Sequence, residues 1–262
     1  MKPTPETYDD LQSAYDKFNQ SLFDGKLPEC LITLQREKNT CGYFSSARFT
    51  NKDGVKIDEI AINPSFFAVT PVVEVMQTLV HEMCHLWQFH FGQPGRGRYH
   101  NAEWAEKMEA IGLMPSSTGK PGGKKTGDCM ADYAIQGGRF FYACKELLEN
   151  GKIQLPWRDL YPPRDVVIAG IMSHSHNLSD LPASATSNIP AQYQTLENFN
   201  AATGADSKAN DETQANSSPN TAAPNKSNRT KYTCGCGHNI WAKPGLKARC
   251  EGCSELFEAI EL

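Results

Sequence analysis

The stretch from Pro71 to Phe91 is apolar around most of a helical circumference, yet it carries His81, Glu82 and His85 in its middle. Val75, Met76, Leu79, Val80, Met83 and Leu86 make it a helix that must be buried. Two imidazoles and a carboxylate in such a helix are costly to bury unless something engages them. The chain must therefore fold as a core helix with packing partners around it and one polar pocket along it. Pro71 suits the first turn, and Gly92 with Pro94 ends the helix.

Residues four apart on a helix lie one above the other, so His81 and His85 can reach one ion. Glu82, about 100° further round, can reach a water on that ion's open position. Zinc held this way acidifies the water and polarises a carbonyl, while the carboxylate moves the proton. The plain alternative, two surface histidines on an amphipathic helix, fits poorly with so apolar a girth.

A catalytic zinc needs a third protein ligand. His90 is nine residues after His81, about half a turn round, and is expected to point away. Gln88 and Phe91 stand where the extended metzincin pattern has Gly and His, which excludes that class. His100 follows the reversal GQPGRGRY and opens the next helix, so it is the preferred ligand, with Glu103 or Glu106 as a carboxylate alternative.

Around this helix the pattern is α+β. Tyr8, Leu11, Tyr15, Phe18 and Leu22 recur at helical spacing, and Gly25 stops that first helix. Three strand candidates follow, CLITLQR, GYFSSARF and DEIAINP, separated by turn residues. Asn101 can cap a helix running to Gly112. After the Gly-rich loop STGKPGGKKTGD, the run DYAIQGGRFFYACKELLENG reads as helical in its second half. From 173 to 229 the chain turns polar and small and reads as a disordered linker, with His174 and His176 as ordinary polar-loop residues.

Nine cysteines, four of them in the closing segment, point to a reducing compartment and metal ligation rather than a disulfide scaffold. Cys234, Cys236, Cys250 and Cys253 make two close pairs suited to a structural zinc in a small β-ribbon, with His238 as the alternate ligand. Cys30, Cys41, Cys84, Cys129 and Cys144 read as small interior residues. The start, MKPTPETYDD, has no apolar run of a secretory signal, and no stretch is apolar enough for a membrane span. A cytoplasmic location, with nucleoid association as an option, is the expectation. The net charge of −4 argues against a surface coated for bulk nucleic-acid binding.

The run INPSFF…VVEVMQTLVHEMCHLWQFHFG…GRGRYHNAEWAEKMEAIGL resembles the SprT-like family, which includes bacterial SprT proteins and the eukaryotic protease Spartan. The resemblance spans about Tyr8 to Leu113 and falls on His81, Glu82, His85 and His100. It implies a compact zincin-like domain over 1–165, a three-histidine zinc, and a C-terminal zinc ribbon over 231–262. Two zinc ions are thus expected, one catalytic and one structural. Spartan-type members cleave proteins crosslinked to DNA, so the resemblance implies a zinc endopeptidase acting on DNA-bound or DNA-crosslinked proteins. Lys231, Lys243, Lys247, Arg249 and Trp241 in the ribbon, and Arg96, Arg98, Lys120, Lys124 and Lys125 in loops near the site, offer DNA contacts. The competing expectation is a DNA-associated zinc-binding or regulatory protein whose peptidase site is silent.

Overall fold

In a computed structural model of the chain, residues 2–38, 40–149, 153–167, 198 and 230–260 are described. The 173–229 segment, including His174 and His176, lies outside them apart from residue 198. The chain divides into two compact units, Met1–Ala209 and Asn210–Leu262.

The first unit mixes helices with small sheets. Helix α1 (Pro3–Leu22) buries Thr7, Leu11, Ala14, Tyr15, Phe18 and Leu22. Tyr8, expected on that stripe, is 37% exposed, because Thr7 takes the inward position one residue earlier. Asp24 and Gly25 turn the chain through positive φ, and the Gly25 N–H donates to the Asn19 carbonyl, closing the helix.

Strands β1 (Cys30–Leu34), β2 (Gly42–Thr50) and β3 (Lys56–Ile62) fall on the three expected runs. They form one sheet in the order β1-β3-β2, with β1 parallel and β2 antiparallel to β3. The ladder of β2 slips between Ser45 and Phe49, and Ala47 adopts positive φ within that irregularity. Asp58 Oδ1 accepts the Ala47 N–H at 2.7 Å, pinning the bulge to the central strand.

Asn63 then orders the approach to the long helix. Its side chain caps the short turn Pro64–Phe66 by accepting from Ser65 N, and its amide donates to the carbonyls of Glu37 and Thr40. Helix α2 runs Val72–Phe91, with Pro71 one residue outside it rather than in its first turn. Met76, Leu79, Val80, Met83, Cys84 and Leu86 are all fully buried, as the apolar girth demanded.

Helix α3 (Ala102–Ile111) begins as expected: Asn101 accepts the Trp104 N–H at 3.0 Å. It ends at Gly112, whose φ of 96° suits glycine, and a Cβ there would meet the backbone nitrogens of Arg139 and Phe140 at 2.8 Å. A hairpin that the sequence did not reveal follows, β4 (Leu113–Ser116) paired antiparallel with β5 (Ala131–Ala134). Helix α4 (Arg139–Glu149) packs on α1, where Phe18 and Phe140 stack at 5.6 Å. Residues 154–157 run beside α1, tied by Asp10 Oδ2 to the N–H groups of Gln154 and Leu155 and by Glu6 to Trp157.

All nine cysteines are free thiols. Cys30, Cys84 and Cys144 are buried as expected, but Cys41 and Cys129 are exposed. Both fall in connecting segments ahead of a strand, outside the helices and strands that make the core. No helix among the described residues is long and apolar enough to cross a membrane.

The second unit holds a three-stranded antiparallel sheet, β6 (Thr230–Thr233), β7 (Asn239–Ala242) and β8 (Glu258–Ile260), in the order β7-β6-β8. Tyr232 is buried, and its hydroxyl donates to the Lys243 carbonyl and accepts from Leu246 N.

Candidate metal centres

Helix α2 supplies His81 and His85 from one face, and the residue just ahead of α3 brings His100 beside them. Their nearest ring nitrogens all lie within 4.8 Å of one another. His85 Nε2 is 3.1 Å from His100 Nε2, which is 3.3 Å from His81 Nε2. Three nitrogens about 2.0–2.1 Å from one tetrahedral ion stand about 3.3–3.4 Å apart. The cluster therefore fits zinc, and bare lone pairs facing each other so closely need a cation or a proton between them.

The rings are held from behind. His100 Nδ1 is 3.0 Å from the Gly127 carbonyl, and the two residues also exchange backbone hydrogen bonds at 2.8 and 3.1 Å. His81 Nδ1 is 2.9 Å from Asp132 Oδ2. Both acceptors direct the N–H to Nδ1 and leave Nε2 free for a metal. Trp104, fully buried, lies against all three imidazoles with ring centroids 4.8, 5.4 and 4.4 Å from His81, His85 and His100. It stacks on His85 and closes the inner side of the pocket.

Burial sets the electrostatics. It depresses His85 well below the usual histidine range, and the neighbouring His81 and His100 add to that. Burial, with His81 next, brings His100 down to about 4, against the opposing pull of the Gly127 carbonyl. Burial also opposes a charge on His81, but the Asp132 hydrogen bond and the Glu82 and Asp132 charges outweigh it and raise the group. Unprotonated His85 and His100 are the forms that bind metal.

Glu82 is 6% exposed, and burial, reinforced by Asp132, pushes its carboxyl up to about 7, while His81 and the Phe44 backbone pull it down. Strand β2 runs close beside it. A Cβ on Gly42 would lie 2.9 Å from Thr78 Cγ2, 2.8 Å from the Ala61 carbonyl and 3.4 Å from Glu82 Cγ, so glycine permits the approach.

The other sequence candidates fall elsewhere. His90 turns from the centre and meets Asp58 Oδ2 at 2.6 Å. Glu103 accepts from Gln88 Nε2 and Gln93 N, both at 2.7 Å, and braces the turn after α2 instead of joining the histidines. Glu106 is exposed on α3. Arg96, Arg98, Lys120, Lys124 and Lys125 are exposed, and Lys125 pairs with Glu109 at 2.8 Å. Asp132, the Gly127 carbonyl and Trp104 were missed. Asp132 is 51 positions from His81, and no local pattern marks a carboxylate on a short strand as a partner for a distant histidine.

In the second unit, Cys234, Cys236, His238 and Cys250 place their ligand atoms within 4.8 Å of one another. Cys236 Sγ is 3.3 Å from Cys234 Sγ, 3.6 Å from Cys250 Sγ and 3.0 Å from His238 Nδ1. Thiolates on a tetrahedral zinc stand about 3.8 Å apart, so this set too is compatible with zinc. The alternate His238 thus stands within the group. Cys253 stands beside it, since its thiol helps raise Cys236 to about 12, after Cys234. The N–H groups of Cys253 and Gly252 bring Cys250 down to about 6, favouring one thiolate.

The first unit is thus an α+β domain that collects a His-Glu-x-x-His helix and a later histidine into one metal-compatible pocket. A sequence model of the SprT-like family matches residues 11–121. An uncharacterized protein in the mucB 3' region of Salmonella typhimurium is 63% identical over 59 residues, which are 22% of this chain and 80% of that protein. No solved structure matches. The chain belongs to the SprT-like family, a family generally linked to metalloprotease-like function.

Proposed function

We propose that this chain is a zinc-dependent endopeptidase with a zincin-like domain over 1–165 and a zinc ribbon over 231–262. The observation that carries the reading is the convergence of three histidines, with His100 Nε2 3.1 Å from His85 Nε2 and 3.3 Å from His81 Nε2, on the helix that also carries the buried Glu82. His81, His85 and His100 would hold the zinc, which when bound polarises the scissile carbonyl and acidifies a water.

The chain's own residues do the rest. Glu82, buried on α2 next to His81, supplies the carboxylate for proton transfer. It takes the proton from the attacking water and delivers it to the departing amine. Trp104 keeps water from the inner side of the histidines, and Asp132 and Gly127 keep two rings aimed. Cys234, Cys236 and Cys250, with His238 or Cys253, would hold the second, structural zinc.

Proteins bound or crosslinked to DNA are the proposed substrates, on the strength of the family. Trp241 is 56% exposed with Lys231 Nζ 5.9 Å from its ring centroid, which gives the ribbon a face for stacking on a base. The test is Glu82→Gln, assayed on a DNA-binding protein with and without single-stranded DNA. We expect full zinc content and a loss of cleavage of about 100-fold or more. Wild-type and variant proteins that behave alike would instead favour a silent, DNA-associated zinc protein.

A further inference from the structure

The segment after α3 reaches back to the centre twice. Gly127 accepts from His100, and five residues later Asp132, on β5, meets His81. The side chain of Asp132 is 7% exposed, so its carboxylate has given up nearly all its water. Its Oδ2 faces His81 Nδ1 at 2.9 Å, and its Oδ1 is 3.4 Å from Gln77 Nε2. Gln77 and His81 are four residues apart on α2, so one helix face presents both donors to one carboxylate. Pairing of Pro115 with Asp132 fixes where that carboxylate stands along the hairpin. The family match ends at residue 121, so this support comes from chain beyond it.

We propose that Asp132 is a positioning residue of the metal centre: its carboxylate fixes the His81 proton on Nδ1 and strengthens Nε2 as a zinc donor. The inference rests on the reading of His81, His85 and His100 as a zinc site. The physical basis is simple. A neutral imidazole has one proton to place, and a buried anion beside Nδ1 decides where it goes. The same anion offsets the positive charge that the imidazole takes on when Nε2 binds a cation. Gln77 Nε2 donates a longer bond to the second carboxylate oxygen, which favours the same orientation of the anion. A zinc ligand set without this support would have to shift the proton from Nε2 and fix the ring angle at the moment of binding.

Cobalt(II) tests the idea in the full chain, with the bands of the histidine centre read as difference spectra against His100→Ala, in which the cysteine cluster is unchanged. Asp132→Ala and Asp132→Asn are compared with wild type in cobalt titrations, zinc competition against that cobalt signal, and melting of the metal-free protein. Asparagine keeps an acceptor atom of the same size and lacks the charge. We expect zinc to bind the histidine centre about 10- to 100-fold more weakly in Asp132→Ala, with Asp132→Asn in between. The cobalt bands should shift in both, and the metal-free Asp132→Asn should melt like wild type. Zinc binding by Asp132→Asn as tight as wild type, with an unmoved cobalt spectrum, would overturn the inference and leave the zinc site standing. If His100→Ala also leaves cobalt and zinc binding unchanged, the site reading itself fails.

Discussion

The two metal-compatible clusters are built in opposite ways. The histidine cluster sits against a large core: α2 is largely buried up to its last turn, Trp104 backs all three rings, and Asp132 and Gly127 aim two of them. The cysteine cluster sits in turns between short strands, where the buried residues among those described are Tyr232, Cys234 and Cys250. Two of those three are themselves thiols of the cluster. In the first unit the fold places the ligands; on the proposed reading the second would need its metal to hold the fold, since so small an apolar core does not offset chain entropy.

That contrast predicts its own largest effect. A strong chelator, or Cys250→Ser, should collapse the amide NMR dispersion of the second unit while the first stays folded, because structural zinc supplies about 10–16 kcal/mol to a module of this kind. Retention of the ribbon's strands after metal removal would break the comparison. Next in size is His100→Ala. It should cost the histidine centre its zinc by elemental analysis and alter Trp104 fluorescence, while the helical circular dichroism of the metal-free protein is kept. If the helices melt as well, the pocket is not placed by the fold alone.

The smallest effect sharpens the picture of the scaffold. Asn101 caps α3 and also accepts from Gln88 Nε2 at 2.8 Å, joining α2 to the start of α3 next to His100. Asn101→Ala should cost about 1 kcal/mol. The melting temperature of the first unit should fall by about 2–4 °C and the ribbon should be untouched. An equal shift in both units would mean that they do not melt independently.

Local patterns carried much of this in the sequence. Helical period and apolar girth gave α2, the cap at Asn101 gave the start of α3, and the three β-rich runs gave β1 to β3. Nine-residue spacing set His90 aside, and it is indeed turned to Asp58. Each of these signals lies within a few residues, where backbone geometry alone relates the side chains.

What the sequence could not decide needed distant segments to meet. Hairpin β4–β5 has strands of four residues each, too short to show a period, and the segment between them reads in the sequence only as a Gly-rich loop. Only packing brought Asp132 across 51 positions to His81 and set Gly127 behind His100. Glu103 stands apart from the histidines because it is taken up by Gln88 and Gln93, which only the packed turn after α2 shows. The sequence by itself determined that a buried helix would carry two histidines and a glutamate. The tertiary structure decided how they are aimed, because a side chain's partners across the fold are chosen by the packing of whole elements and not by neighbours along the chain.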